Sequence, residues 1–371
     1  MTSGPRVLLL VTSMARGGAE RQVVDLAAEL QARGWTACVL SMITPSDFRD
    51  ELAAAGVELA SLEMTQGRPS VGALLRYRSF VRRWKPRVIH AHMVHANLLA
   101  RIGRLITPRT PVVCTVHSVV EGRRWREIAY RLTDRLSSAT TAVSRAATER
   151  YVRVGAAPRG RIITIPNGFD FSRAVTPAGS RDGIRRELGA GDAFLWLAVG
   201  RLIPEKGHDM LLHAFSRVRS VHTSARLVIA GEGEQSPMLH GLIRDLALTA
   251  SVRLLGERRD VPSLLAAADA FVMSSRWEGL PMVLLEAAAQ QLPIVATDVG
   301  GCGEVAVPEL GAVLTQPNGK AIAAGMLEVM EMTAAERAKV GAALRDHVRA
   351  EFDLEPIVTR WEALYASVMG R

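Results

Sequence analysis

Short apolar runs of strand length alternate with amphipathic helical stretches along almost the whole chain, and this alternation restricts the fold more than any other feature of the sequence. Residues 6–12 form a continuous apolar run. A loop with Gly17 and Gly18 follows, then a helix that puts Ala19, Val23, Leu26, Ala27 and Leu30 on one face and stops near Gly34. Further strands are expected at 37–41, 88–91, 112–116, 140–143 and 162–165. Residues 166–191, rich in Gly, Pro, Ser and Asp, break the pattern and read as an interdomain linker. The alternation then resumes with strands at 194–199, 225–230, 252–255, 270–274 and 293–297, and helices near 209–221, up to about 248, and from Pro281. Strands that are apolar throughout, separated by helices, require a mainly parallel sheet covered on both faces. The expectation is an α/β chain of two doubly wound halves, with ligands beyond the carboxyl ends of the strands. A last helix over 355–368 carries Ile357, Trp361, Leu364 and Tyr365 along one side.

Composition supports two ordered domains. The 371 residues are 48% hydrophobic and 22% charged, which excludes disordered, collagen-like and coiled-coil chains. Cys38, Cys114 and Cys302 have no CxxC spacing and read as small buried apolar residues in a reducing compartment. No apolar run reaches the roughly 20 residues of a membrane helix, and the run at 7–11 is shorter than a signal-peptide core of roughly 7 to 15 residues. The expected location is therefore cytoplasmic. The net charge of +9 is uneven: up to Arg173 there are 26 Lys and Arg against 13 Asp and Glu, and the excess reverses beyond it. A basic first half implies an anionic surface or polymer as partner.

Four glycine-bearing segments could hold a phosphorylated ligand. The strongest runs from Glu278 to Glu286 (Glu-Gly-Leu-Pro-Met-Val-Leu-Leu-Glu). Pro281 suits a helix start, which leaves N–H groups from Gly279 to Val283 free to bind phosphate, while the two carboxylates can accept from hydroxyls. Standing alone, the fragment reads equally as a capped surface helix. Residues 200–207 (Gly-Arg-Leu-Ile-Pro-Glu-Lys-Gly) follow a strand of the second half; Arg201 and Lys206 could neutralise a diphosphate, and alone they read equally as a basic turn. Gly17-Gly18 after the first strand and Gly231-Glu232-Gly233 after another are weak signals that most often mark turns. His90, His92 and His95 match no standard metal spacing. His90 and His92 close a strand and are expected on opposite sides of it, in structural or acceptor-lining roles.

Taken in order, these segments resemble the retaining sugar-nucleotide glycosyltransferases of family 4, whose GT-B fold joins two Rossmann-like domains. The resemblance runs through Gly17-Gly18-Ala19-Glu20-Arg21, residues 165–170 (Ile-Pro-Asn-Gly-Phe-Asp), residues 200–207, Gly231-Glu232-Gly233, the Glu278-x7-Glu286 pair, and Gly300-Gly301 with Glu304. It implies an acceptor-binding domain over 1–175, a nucleotide-sugar-binding domain over 176–354, and a C-terminal helix over 355–371 that crosses back to the first. It also implies roles. Arg201 and Lys206 would grip the donor diphosphate beside Gly200. Glu286 would hold the ribose, Glu278 the transferred sugar, and the backbone of Gly279, Leu280, Pro281 and Met282, through the N–H groups it carries, the sugar or phosphate. Gly17 and Gly18 would close from the other domain, and His117, in Thr115-Val116-His117, would lie beside the reacting sugar as a catalytic residue. His92 and Asn97 are assigned to the acceptor.

The expected activity is a retaining transferase that moves a hexose or N-acetylhexosamine from a nucleoside-diphosphate sugar, UDP-linked before GDP-linked, to an acceptor hydroxyl. No cofactor and no metal are expected, and no Asp-x-Asp occurs in the chain. The acceptor is expected to be a lipid-linked saccharide in surface-polysaccharide assembly. An arginine-rich first domain would make peripheral contact with the anionic inner face of the membrane. Arg76, Arg78, Arg82, Arg83, Lys85 and Arg87 interleave with Tyr77, Phe80 and Trp84, and a second cluster of Arg123, Arg124, Arg126, Arg131 and Arg135 includes Trp125 and Tyr130. No nucleic-acid recognition motif is present. The alternatives are a sugar-nucleotide epimerase on the same frame and a non-catalytic nucleotide- or sugar-binding protein.

Overall fold

A computed structural model describes residues 4–65, 71–120, 122, 124–176 and 180–370. Arg123 of the second basic cluster lies outside the described residues, as do residues 177–179 of the expected linker. The chain divides into two compact units. Met1–Gly168 and Leu354–Arg371 form the first, and Phe169–Asp353 forms the second.

The first unit is built on a parallel sheet of seven strands among the described residues: β1 (Arg6–Val11), β2 (Thr36–Ser41), β3 (Glu58–Ser61), β4 (Val88–His92), β5 (Val112–Val116), β6 (Ala139–Ala142) and β7 (Ile162–Thr164), in the order β3-β2-β1-β4-β5-β6-β7. Because side chains alternate along a strand, the unbroken apolar run of β1 serves two layers at once. Val7, Leu9 and Val11 join a core with Val23, Leu26, Ala27 and Leu30 of the helix Gly18–Ala32. Leu8 and Leu10 join another core with Tyr77 and Phe80 of the helix Val71–Trp84. The C-terminal helix Leu354–Met369 adds Ile357, Val358, Trp361, Tyr365 and Val368 to the first of these cores. Arg33 fastens it by donating to Thr359 Oγ1 (2.8 Å), Glu362 Oε2 (3.0 Å) and the Glu355 carbonyl (2.8 Å), and Trp35 Nε1 donates to Glu362 Oε1 (2.8 Å).

The second unit carries a parallel sheet of six strands among the described residues: β8 (Leu195–Val199), β9 (Arg226–Ala230), β10 (Val252–Leu254), β11 (Ala270–Met273), β12 (Ile294–Thr297) and β13 (Val313–Thr315), in the order β10-β9-β8-β11-β12-β13. Trp196, Leu211, Phe215, Leu227, Ile229 and Val272 centre its core. Two strands had no expectation: β3 and β13, both at sheet edges and partly exposed, where short runs lack the continuous apolar signal of the central strands. The expected linker holds a helix, Ser180–Leu188. Its Arg181 and Arg185 clamp Asp269 (2.6 and 3.0 Å) and donate to carbonyls of residues 266–268.

Candidate functional site

In the second unit the strand order reverses between β8 and β11, the place where an open parallel sheet leaves a crevice outside its carboxyl ends. Residues 200–207 leave β8 there and residues 274–281 leave β11. The first loop is held by backbone bonds from Gly200 N–H to Ala230 O (3.0 Å) and Leu202 N–H to Glu232 O (2.8 Å). Arg276 joins the two loops: its N–H donates to Glu205 O (2.7 Å), and its guanidinium donates to Pro204 O (2.7 Å) and, through both terminal nitrogens, to Asp209 (3.0 and 2.7 Å). Gly207 and Gly300 are among the positions that admit only glycine. A Cβ on Gly207 (φ 62°) would lie 2.2 Å from Ser274 O, and one on Gly300 (φ 57°) would lie 2.0 Å from Glu278 O.

This frame brings Lys206 and Glu278 together. Lys206 Nζ donates to Glu278 Oε1 at 2.5 Å, and Ser275 Oγ donates to the same oxygen at 2.6 Å. Thr297 Oγ1 fixes Ser275 by donating to its carbonyl (2.6 Å). The Glu278 side chain is only 11% exposed and that of Lys206 23%. The Arg201 side chain is exposed and has no ion pair or hydrogen bond among the described residues. Pro281 is the N-cap of the helix Met282–Ala289, and Leu284 N–H returns to Pro281 O (3.1 Å). The N–H groups of Gly279, Met282 and Val283 find no acceptor among the described residues. Glu286 lies one turn into that helix, half-buried, and Leu280 is buried. Beneath the first loop His208 is 3% exposed; burial lowers its pKa to about 4, with the backbone of Arg201 and Gly200 pulling the other way.

In the first unit the order reverses between β1 and β4. Gly17 and Gly18 follow β1, and Gly17 caps the helix Gly18–Ala32 in an extended conformation without a side-chain cap. His117 follows β5, half-buried, its pKa lowered to about 4 by burial. Its Nε2 lies 3.0 Å from His92 Nδ1. The expectation that His90 and His92 face opposite sides is wrong. Residues two apart on a strand project to one face, and the two rings lie 3.9 Å apart between centroids. His92 is 1% exposed and Asn97 wholly buried; Asn97 Nδ2 donates to Thr115 O and Tyr130 Oη, both at 2.8 Å. The His92 side chain therefore stands behind His117, and that of Asn97 is bonded within the unit's interior.

Three of the five aromatic residues of the basic clusters are also not where the membrane reading needs them. Tyr77, Phe80 and Tyr130 belong to the core, because a helix on a sheet turns its large apolar side chains inward. Trp125 is exposed, at 49%, and with Ile128 (57%) and Leu132 (78%) forms an apolar stripe on the helix Arg124–Thr133. Arg124, Arg131 and Arg135 are exposed around it. No helix among the described residues is long and apolar enough to cross a membrane, and no group of three or more His, Cys, Asp or Glu in them could hold a metal ion. The free cysteines are all buried.

Family models match both units. The one described as Glycosyltransferase Family 4 covers residues 16–173, and the one described as Glycosyl transferases group 1 covers residues 180–347. The chain belongs to the family 4 glycosyltransferases. This family 4 chain is 29% identical to the glycogen synthase of Mycobacterium tuberculosis over 94% of its own length and 91% of that protein's. It is 28% identical to the UDP-Gal:alpha-D-GlcNAc-diphosphoundecaprenol alpha-1,3-galactosyltransferase of Escherichia coli over 62% of each chain. The Anabaena protein HepE, solved in complex with UDP-glucose, superposes with a TM-score of 0.86 at 24% identity, covering 98% of this chain and 99% of that one. The fold is GT-B, with two Rossmann-like units in one glycosyltransferase chain.

Several residues of these arrangements carried no signal in the sequence. Ser275, Arg276 and Thr297 are ordinary residues whose importance lies in which loops they join. The pairing of His90 with Tyr365, 275 residues later, has no local trace.

Proposed function

We propose that this glycosyltransferase is retaining and needs no metal, and that it takes a hexose or N-acetylhexosamine from a nucleoside-diphosphate sugar, UDP-linked before GDP-linked. The observation that carries the reading is the second unit's grouping of Arg201, Lys206, Glu278 and the N-terminus of the helix Met282–Ala289 at the switch point of its sheet. Breaking the bond between sugar C1 and the diphosphate leaves positive charge on the sugar, while the electron pair departs with the phosphate. Cations and the N–H dipoles of a helix N-terminus meet that charge on the phosphate. Arg201 and Lys206 take the diphosphate, and Glu286 takes the ribose hydroxyls. Glu278, already oriented by Ser275, accepts from a hydroxyl of the transferred sugar. His117 serves the reacting sugar from the first unit. The acceptor oxygen then bonds to C1 on the face the phosphate leaves, and the acceptor proton passes to a phosphate oxygen.

The acceptor in this reading is a lipid-linked saccharide, reached at an anionic membrane surface. The stripe of Trp125, Ile128 and Leu132 ringed by Arg124, Arg131 and Arg135 supports this, since exposed apolar residues among arginines match the headgroup layer. The relative from Escherichia coli named for a diphosphoundecaprenol acceptor supports it too. The test is transfer from UDP-glucose, UDP-galactose, UDP-GlcNAc and GDP-mannose to a polyprenyl-diphosphate GlcNAc acceptor, with and without EDTA, with the product anomer read by NMR. An α-linked product formed equally in EDTA is expected. A β-linked product would refute retention, loss in EDTA would refute metal independence, and an altered sugar nucleotide formed without acceptor would turn the reading to an epimerase.

A further inference from the structure

The first unit buries a set of histidines whose hydrogen bonds have one consistent direction. Thr141 Oγ1 donates to the Cys114 carbonyl (3.4 Å), which can only accept. Thr115 Oγ1 lies 2.7 Å from Thr141 Oγ1, His90 Nε2 lies 2.6 Å from Thr115 Oγ1, and Tyr365 Oη lies 2.6 Å from His90 Nδ1. If every donor is used once, the Tyr365 hydroxyl donates to His90 Nδ1, His90 Nε2–H to Thr115, Thr115 to Thr141, and Thr141 to the carbonyl. The opposite direction leaves the Tyr365 hydroxyl, wholly buried, with nothing to donate to. Burial holds the Tyr365 pKa well above its ordinary value and that of His90 well below it, so both are neutral. His90 is thereby fixed by the C-terminal helix, with Trp361 packed at 4.4 Å on its ring.

His92 stacks on this fixed ring and turns Nδ1 toward His117 Nε2. One proton serves that 3.0 Å contact, and it can sit on either nitrogen. The far side of His92 separates the cases. Its Nε2 is buried without a partner. A proton there would be an orphaned buried N–H, whereas a bare nitrogen there is only an unused acceptor, the less costly of the two. The proton of His92 therefore belongs on Nδ1. His117 then receives it at Nε2 and must carry its own proton on Nδ1, which makes no bond among the described residues and is not among the buried unpartnered atoms. The backbone invests in this placement. Met93, directly after His92, has φ 69° and ψ 158°, a region essentially reserved for glycine.

We infer that His92 is a positioning residue that fixes the tautomer of His117, so that His117 offers its ligand an N–H donor at Nδ1 and not a base. The inference concerns the first unit alone; its bearing on transfer rests on the reading of His117 as the histidine that serves the sugar. The test uses the full-length chain labelled with 15N-histidine, without ligand, near pH 7. Two-bond proton–nitrogen correlations distinguish the tautomers, and His117→Asn and His92→Asn assign the two rings. The Nδ1–H pattern is expected for both His117 and His92. An Nε2–H pattern for His117 overturns the inference with no variant needed. His92→Asn, whose amide can donate from the place of Nδ1, should leave His117 as the Nδ1–H form, while His92→Leu, which can neither donate nor accept, should let the Nε2–H form rise at least tenfold. An unchanged His117 pattern in a folded His92→Leu chain would overturn it as well. Failure of the chain to bind UDP would instead count against the functional reading and leave the tautomer result standing.

Discussion

Replacing Lys206 by Met removes the cation from an oxygen that Lys206 and Ser275 now share. The Glu278 side chain is 11% exposed, so in Lys206→Met its charge keeps only the Ser275 hydroxyl at 2.6 Å. Breaking a fully buried pair costs about 3–5 kcal/mol. With Lys206 itself 23% exposed and Ser275 retained, about 2 kcal/mol is expected. In Glu278→Gln the ammonium keeps an amide oxygen and some water, and about 1 kcal/mol is expected. The double variant leaves no unpaired charge, so its loss should fall short of the sum by about 1–2 kcal/mol. At roughly 2–4 °C per kcal/mol for a domain of this size, Lys206→Met should lower Tm by about 4–8 °C, Glu278→Gln by about 2–4 °C, and the double variant by no more than Lys206→Met alone. Thermal unfolding of the four full-length proteins, with urea titrations for the free energies, measures this. Additive losses within about 0.3 kcal/mol would mean that the pair does not form in solution, and the orientation of Glu278 argued from it would fail.

Other consequences are as direct. Gly207→Ala and Gly300→Ala each place a methyl about 2 Å from a carbonyl oxygen at positive φ; each should destabilise by about 2 kcal/mol or more and weaken UDP binding, read by calorimetry. Neutral His117 and His208, with pKa values near 4 against an ordinary 6.5, make the unfolded chain bind more protons below pH 6.5. Stability is therefore full above pH 6.5 and falls toward pH 4, by up to about 1.4 kcal/mol per pH unit for each; His208→Leu should flatten the urea-derived slope of stability against pH between 6.5 and 4.5. Trp125→Glu with Leu132→Glu should abolish sedimentation with anionic vesicles while leaving Tm within about 2 °C, since both side chains are exposed; undiminished sedimentation would refute the membrane surface. Tyr365→Phe should cost about 1–2 kcal/mol by leaving His90 Nδ1 without its donor.

The central strands were legible because burial on both faces writes itself as an unbroken apolar run. Residues 6–12, 88–91, 112–116 and 225–230 each contain or nearly match an observed strand. The loops at 200–207 and 278–286 were legible because close approach of backbone leaves glycine as a marker, as Gly207 and Gly300 show against Ser274 O and Glu278 O. Edge strands β3 and β13 were not, since a half-exposed strand needs no such run. Tyr77, Phe80 and Tyr130 were read with the arginines as a membrane-facing surface because interleaving in sequence does not say which side of a helix a residue occupies. The direction of His90 and His92 was a misapplied period of two. The network that joins His90 to Tyr365, and the pairing of Glu278 with Lys206, exist only once the chain is folded, when distant segments bring their polar atoms within bonding distance.

The central claim is that Arg201 and Lys206 in the second unit bind the diphosphate of the donor. The most direct measurement is the melting temperature of the full-length chain against UDP, GDP and ADP, each with and without EDTA, for the native sequence and for Arg201→Ala. A nucleotide at 100 times its Kd stabilises by about 2.7 kcal/mol. The account predicts a rise with UDP that EDTA leaves unchanged and that Arg201→Ala, whose exposed side chain makes no bond here, abolishes without lowering the unliganded Tm. No rise with any nucleoside diphosphate, or a rise that Arg201→Ala leaves intact, would contradict it.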